Sequence, residues 1–144
     1  MPLRIKLPTK ERIIINGAVI ENAGEATTLV LLNPADVLRR KEVLQEKDAV
    51  TSARRGYYAL QCAYAFFQER EQFLESFKKL LDEYEEAAPS AASLCTDIRQ
   101  LVAELKFYNA LRITQQLIKH ETERLEHIGV LPGDDPSVEA DAQS

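Results

Sequence analysis

Hydrophobic and polar residues alternate at the start of the chain. Leu3, Ile5 and Leu7 are separated by Arg4 and Lys6, the period-two pattern of a strand with one buried face. Pro8 ends it. Ile13-Ile14-Ile15 and Ala18-Val19-Ile20 flank Asn16-Gly17. Asn-Gly accepts the positive φ angles of a type I′ turn, so a tight hairpin is expected there. Asn22-Ala23-Gly24-Glu25 reads as a second turn. Residues 27–32, β-branched at their start and continuously apolar at their end, read as a further strand. Asn33-Pro34 breaks the run. Residues 35–44 fit either helical or strand spacing; their strand neighbours favour a short strand over 36–41, with 45–53 as a polar connection.

Past residue 50 the period lengthens. From 53 to 86 there is no Pro, and the one Gly, Gly56, lies near the start, so a single long helix is expected, capped by Thr51 or Ser52. Cys62, Phe66, Phe73, Phe77, Leu80, Leu81 and Tyr84 fall on one face, widened by Tyr58, Phe67 and Leu74. Charged residues, including the i,i+4 pair Glu75 and Lys79, fill the other. Ala87-Ala88-Pro89-Ser90 ends that helix, and Ser90 is a candidate cap for the next. A second apolar stripe runs from Leu94 to Tyr108 and a third from Ala110 to Ile128, with Asn109 as the expected joint. Gly129 suits a helix C-terminus. The expected fold is therefore α+β: an antiparallel β meander of four or five short strands, then three α-helices. Residues 1–50 form the β-rich region and 51–129 the helical region of one domain, with the Phe-rich helix face against the strands. The acidic, Pro-containing residues 130–144 are expected to be disordered. Phe66, Phe67 and Phe73 exceed what a sheet of this size covers, so a homodimer or larger assembly is expected.

Composition adds limits. The 144 residues suffice for a core without disulfides or metals. No apolar stretch approaches the roughly 18 residues of a membrane span, and residues 1–6 lack the apolar stretch of a secretion signal, so a cytoplasmic protein is expected. Cys62 and Cys95 lie within helical apolar patterns and read as buried thiols. The net charge of −5 is unevenly spread. Residues 1–56 hold 10 Lys and Arg against 7 Asp and Glu; residues 57–132 hold 8 against 12, and 133–144 hold 0 against 4. A basic first third on an acidic whole points to a local anionic partner.

Candidate chemistry is sparse. No Gly-rich phosphate loop and no nucleophile elbow occur. His120 and His127 lie seven apart, which is not metal-ligand spacing, and read as surface residues. The many carboxylates follow the spacing of a solvated helix face. Neither an enzyme nor a cofactor is expected. Two basic clusters remain: Arg39-Arg40-Lys41, and Arg54-Arg55 just ahead of Tyr57-Tyr58. Arginine's planar fork suits phosphate, and single-stranded RNA is held by such cations together with aromatic stacking. Tyr57 and Tyr58 are the candidates for stacking. Structural ion pairs with Glu42, Glu46 or Asp48 are the competing reading of the same cations.

The order of several segments resembles the FlbT family of flagellar regulators. They are Met1-Pro2-Leu3, Ile15-Asn16-Gly17-Ala18-Val19-Ile20, Val37-Leu38-Arg39, Thr51-Ser52-Ala53-Arg54-Arg55-Gly56-Tyr57, Phe107-Tyr108-Asn109-Ala110-Leu111 and Glu121-Thr122-Glu123-Arg124-Leu125. The likeness covers residues 1 to about 126, with Gly56 where a bulkier apolar residue is expected. It implies post-transcriptional control of flagellin: binding to the 5′ leader of flagellin messenger RNA, lowering its translation and stability, with a positive effect in some relatives. It also implies flagellin and a small companion, FlaF, as protein partners. The alternative it leaves open is an adaptor or export chaperone for those proteins, with indirect effects on RNA. The first 45 residues, with Leu32-Asn33-Pro34-Ala35-Asp36-Val37 leading into cations, also resemble the carbon storage regulator family of small RNA-binding dimers, which implies Arg39 or Arg40 against RNA.

Overall fold

The computed structural model describes residues 2–129; the tail at 130–144, expected to be disordered, lies outside them. The chain divides into two compact units, one ending at Val43 and the other beginning at Leu44.

The first unit holds five antiparallel strands: β1 (Leu3–Leu7), β2 (Arg12–Ile15), β3 (Ala18–Glu21), β4 (Thr27–Leu31) and β5 (Val37–Arg39). Asn16 and Gly17 join β2 to β3 with φ of 50° and 87°, the double positive turn their sequence calls for. The strands do not follow one another across a single sheet as in a meander. β4 returns to pair with β1, and β2 lies between β3 and β5. Asn22 redirects the chain. Its Nδ2 donates to the carbonyls of Leu7 and Glu25, each at 2.9 Å, and its Oδ1 accepts the Gly24 N–H at 2.9 Å. This ties the end of β3 and the start of β4 to the end of β1. Burial accounts for the arrangement. Ile5, Leu7 and Ile13 form a core with Ile15, Leu29, Leu31 and Val37, drawn from both sheets. One flat sheet would leave these side chains in water; two small sheets cover them together. The strand expected over 36–41 stops at Arg39, because Arg40 takes a left-handed φ of 58° and opens a 3-10 turn, Arg40–Glu42.

Among the described residues the second unit has four α-helices rather than three: α1 (Ser52–Ala65), α2 (Arg70–Ala87), α3 (Ala92–Ala103) and α4 (Phe107–His127). The helix expected over 53–86 breaks at Phe66, whose φ of −113° and ψ of 84° leave the helical region. A short 3-10 turn, Phe67–Glu69, follows, and α2 runs back along α1. Unbroken, this segment would be roughly 50 Å long and could not pack on itself. Arg70 secures the bend by donating Nε to the Ala63 carbonyl at 2.8 Å, an acceptor freed where α1 ends. Gly56 sits in the seam, where an added Cβ would lie 3.9 Å from Leu80 and Phe77.

The joint before α4 is not at Asn109, which lies within α4. α3 ends in a Schellman motif: the Lys106 N–H bonds the Leu101 carbonyl at 2.8 Å and the Leu105 N–H bonds Val102 at 2.9 Å. Ser90 does not cap α3; its Oγ lies 2.9 Å from Nε2 of His120. His120 is accordingly half-buried rather than a plain surface residue, with Nδ1 2.7 Å from the Tyr84 hydroxyl. Tyr57, Leu60, Phe77, Leu81, Ile98, Leu111 and Leu117 are buried in this unit. Both cysteines are buried and unpaired, and burial pushes the Cys95 thiol up to about 11. No helix among the described residues is long and apolar enough to cross a membrane.

Candidate nucleic-acid interface

The first basic cluster is built by the end of β5. Arg39 is the last strand residue, half-exposed, and pairs across from Ile13. Its backbone N–H donates to Glu42 Oε1 at 3.1 Å, which draws the Arg40–Glu42 turn tight against the strand end. Arg40 and Lys41 are exposed on that turn. The alternation expected along a strand, with Arg39 and Lys41 opposite Arg40, therefore fails after Arg39, because the left-handed Arg40 backbone ends the pleat.

The second cluster is the first turn of α1. Thr51 is the N-cap, and its hydroxyl accepts the Arg54 N–H at 3.4 Å. No acidic residue occupies this first turn. Two arginines there oppose the helix dipole, which favours negative charge at an N-terminus. The missing charge arrives from α4. Glu121, only 4% exposed, accepts the Thr51 hydroxyl at 2.5 Å through Oε1 and the Ala53 N–H at 3.0 Å through Oε2. The backbone donors at 53 and 54 are thus occupied, and an anion at this helix start would meet side chains instead. Arg54 is half-exposed and Arg55 exposed. Among the described residues, no carboxylate is ion-paired with Arg39, Arg40, Arg54 or Arg55.

The expected stacking pair divides. Tyr57 is 1% exposed, and its hydroxyl accepts from Gln115 Nε2 at 3.0 Å. It is a core residue and cannot stack on a base, because its place on α1 faces the helical core. Tyr58 is half-exposed and hydrogen-bonds to Cys62, which partly offsets the upward push of burial on that thiol.

Sequence reasoning passed over two features. Glu121 reads as one more carboxylate in an acidic helix; only its place across from Thr51 reveals the cap. Arg4 and Lys6 form an exposed pair on β1, opposite Val30 and Thr28, and the period-two pattern had already put them on the outward face. Among the described residues no group of His, Cys, Asp and Glu could hold a metal ion.

These features define a small α+β protein built around surfaces. The FlbT family profile, described as flagellar protein FlbT, matches residues 3–125, and the chain belongs to that family. A relative from Caulobacter vibrioides named flagellum biosynthesis repressor protein FlbT is 35% identical over 139 residues, covering 94% of this chain and 99% of the relative. Relatives named probable flagellum biosynthesis repressor protein FlbT include one from Rhodopseudomonas palustris, 32% identical over 125 residues (87% of this chain, 98% of the relative). Another, from Mesorhizobium japonicum, is 30% identical over 135 residues (91% and 90%). No solved structure matches the chain significantly.

Proposed function

We propose that this protein regulates flagellum biosynthesis by binding the 5′ leader of flagellin messenger RNA and lowering its translation and stability. Membership of the FlbT family and the repressor names of its relatives support the regulatory role. The observation that carries the RNA reading is that Arg39, Arg40, Arg54 and Arg55 have no carboxylate partner among the described residues. Structural ion pairs were the main alternative use for them. The strand unit also holds 7 Lys and Arg against 5 Asp and Glu, while residues 44–129 hold 11 against 14. Binding is dominated by phosphate contacts from Arg39, Arg40, Lys41, Arg54 and Arg55, with Tyr58 the tyrosine left to stack.

Titration of leader RNA against the purified protein at several salt concentrations tests this. Reversing charge at Arg39 and Arg40 weakens binding by about tenfold or more and flattens the slope of log K against log salt by about 0.7 per lost contact. A double variant that binds as tightly as the parent excludes these residues. Retention of flagellin but not leader RNA would overturn the RNA reading in favour of a protein adaptor.

A further inference from the structure

One end of the helical unit, where α1 turns into α2 and α3 into α4, displays apolar side chains that its core does not use. Phe66 is 47% exposed, Phe67 74% and Leu105 67%. They adjoin. The rings of Phe66 and Phe73 lie 6.4 Å apart. The Arg70 guanidinium sits 5.1 Å from the Phe67 ring and 4.6 Å from that of Phe107, two residues beyond Leu105. Single exposed apolar residues are ordinary, but contiguous aromatics with an arginine between them have the composition of an interface hot spot.

Leu105 supplies a second, independent observation. It occupies the left-handed position of the Schellman motif with φ of 62°, where a Cβ strains the backbone and glycine is preferred. Neither the backbone nor the core accounts for leucine here, since the side chain stands in solvent. A strained backbone and an exposed apolar side chain thus coincide at this position.

Charge indicates the occupant. Glu69 closes the turn that bears Phe67, and a shallow groove along α2 is lined by Glu69, Glu71, Leu74, Glu75 and Lys78. Three carboxylates against one lysine suit a partner that carries more positive than negative charge. We infer that this surface docks an amphipathic helix of a partner protein, with aliphatic anchors seated on Phe67 and Leu105 and flanking lysines or arginines against Glu69, Glu71 and Glu75. The inference does not depend on the RNA reading.

The test uses the full chain and two synthetic amphipathic helices, one of leucine and lysine and one of leucine and glutamate, followed by fluorescence anisotropy. The leucine–lysine helix binds and the leucine–glutamate helix does not. Phe67→Ser with Leu105→Gly weakens binding by about tenfold or more, while leader RNA is bound as by the parent. Leu105→Gly alone raises the thermal midpoint by a few degrees, as relief of backbone strain requires. Equal affinity of parent and double variant, or equal binding of both helices, overturns the inference. So does a concentration-dependent dimer in sedimentation that Phe67→Ser abolishes, which would make the occupant a second copy. A Leu105→Gly chain no more stable than the parent removes the strain argument, and the inference with it.

Discussion

The contact between Glu121 and the start of α1 makes the sharpest stability prediction. The carboxylate accepts the Thr51 hydroxyl at 2.5 Å and the Ala53 N–H at 3.0 Å, and it is almost wholly buried. Hydrogen bonds to a charged group are worth roughly 1.5–3 kcal/mol each, and an orphaned buried donor carries its own desolvation cost. Glu121→Ala removes both acceptors and leaves the Ala53 N–H buried without a partner, so a loss of about 3 kcal/mol is expected. Glu121→Gln keeps one acceptor oxygen and the shape, and costs about 1 kcal/mol. Thr51→Val removes the hydroxyl at constant volume, and with it the cap on Arg54, for about 1–2 kcal/mol. Because Thr51 and Glu121 touch, Thr51→Val combined with Glu121→Ala falls short of the summed losses by about 1 kcal/mol or more. Urea unfolding of the parent, Glu121→Ala, Thr51→Val and their combination measures this, and amide exchange at Ala53 and Arg54 should quicken in Glu121→Ala and in Thr51→Val. Additive losses, or a Glu121→Ala loss below about 1 kcal/mol, would refute the cap.

Gly56→Ala should stabilise by roughly 0.5–1 kcal/mol in urea unfolding, since the new Cβ meets Leu80 and Phe77 at an ordinary 3.9 Å and alanine is the better helix former; destabilisation would mean the α1–α2 seam is tighter than described. Arg40→Gly relieves a left-handed backbone and should stabilise by roughly 0.5 kcal/mol while weakening leader binding, a divergence that Arg40→Ala should not show. Alkali should destabilise the fold. Burial raises Cys95 from 9.0 to about 11, so the folded chain keeps a proton that the unfolded chain releases. That contribution is intact below pH 9 and disappears as pH rises toward 11. Cys62 and Tyr84 act in the same direction, both raised mainly by burial. Urea midpoints from pH 8 to 10.5 should fall, less steeply in Cys95→Ala.

Local signals in the sequence were reliable where a residue's own backbone preference decides the outcome. Asn16-Gly17 formed its hairpin turn, Thr51 its cap, and the Pro89 region ended α2. Pairing between distant segments was not legible. Nothing in residues 22–25 shows that Asn22 will reach the Leu7 carbonyl and send β4 to β1 rather than β3. The bend at Phe66 was hidden because the apolar period runs through it without Pro or Gly; the bend exists because α2 gains more by packing on α1 than by extending it. At the candidate site, the arginines were legible as charge, and Arg40 as part of a basic run. The burial of Tyr57 was not, since aromatic residues at helix positions 57 and 58 differ only in which way the helix faces.

Several positions where this chain departs from local preference fall at its candidate surfaces, while the left-handed Lys10, with φ of 67°, lies in the turn between β1 and β2. Arg54 and Arg55 stand at the positive end of a helix, and α4 must send Glu121 to balance it. Arg40 takes a left-handed backbone at the head of a basic turn, and Leu105 does so at the edge of an exposed aromatic cluster. Each costs stability that a different residue would restore: an acid in the first turn, or glycine at either left-handed site. Arginines at a helix start and a left-handed leucine in solvent are residues that binding, rather than stability, would select. Variants that repair these departures should therefore fold more firmly and bind less well.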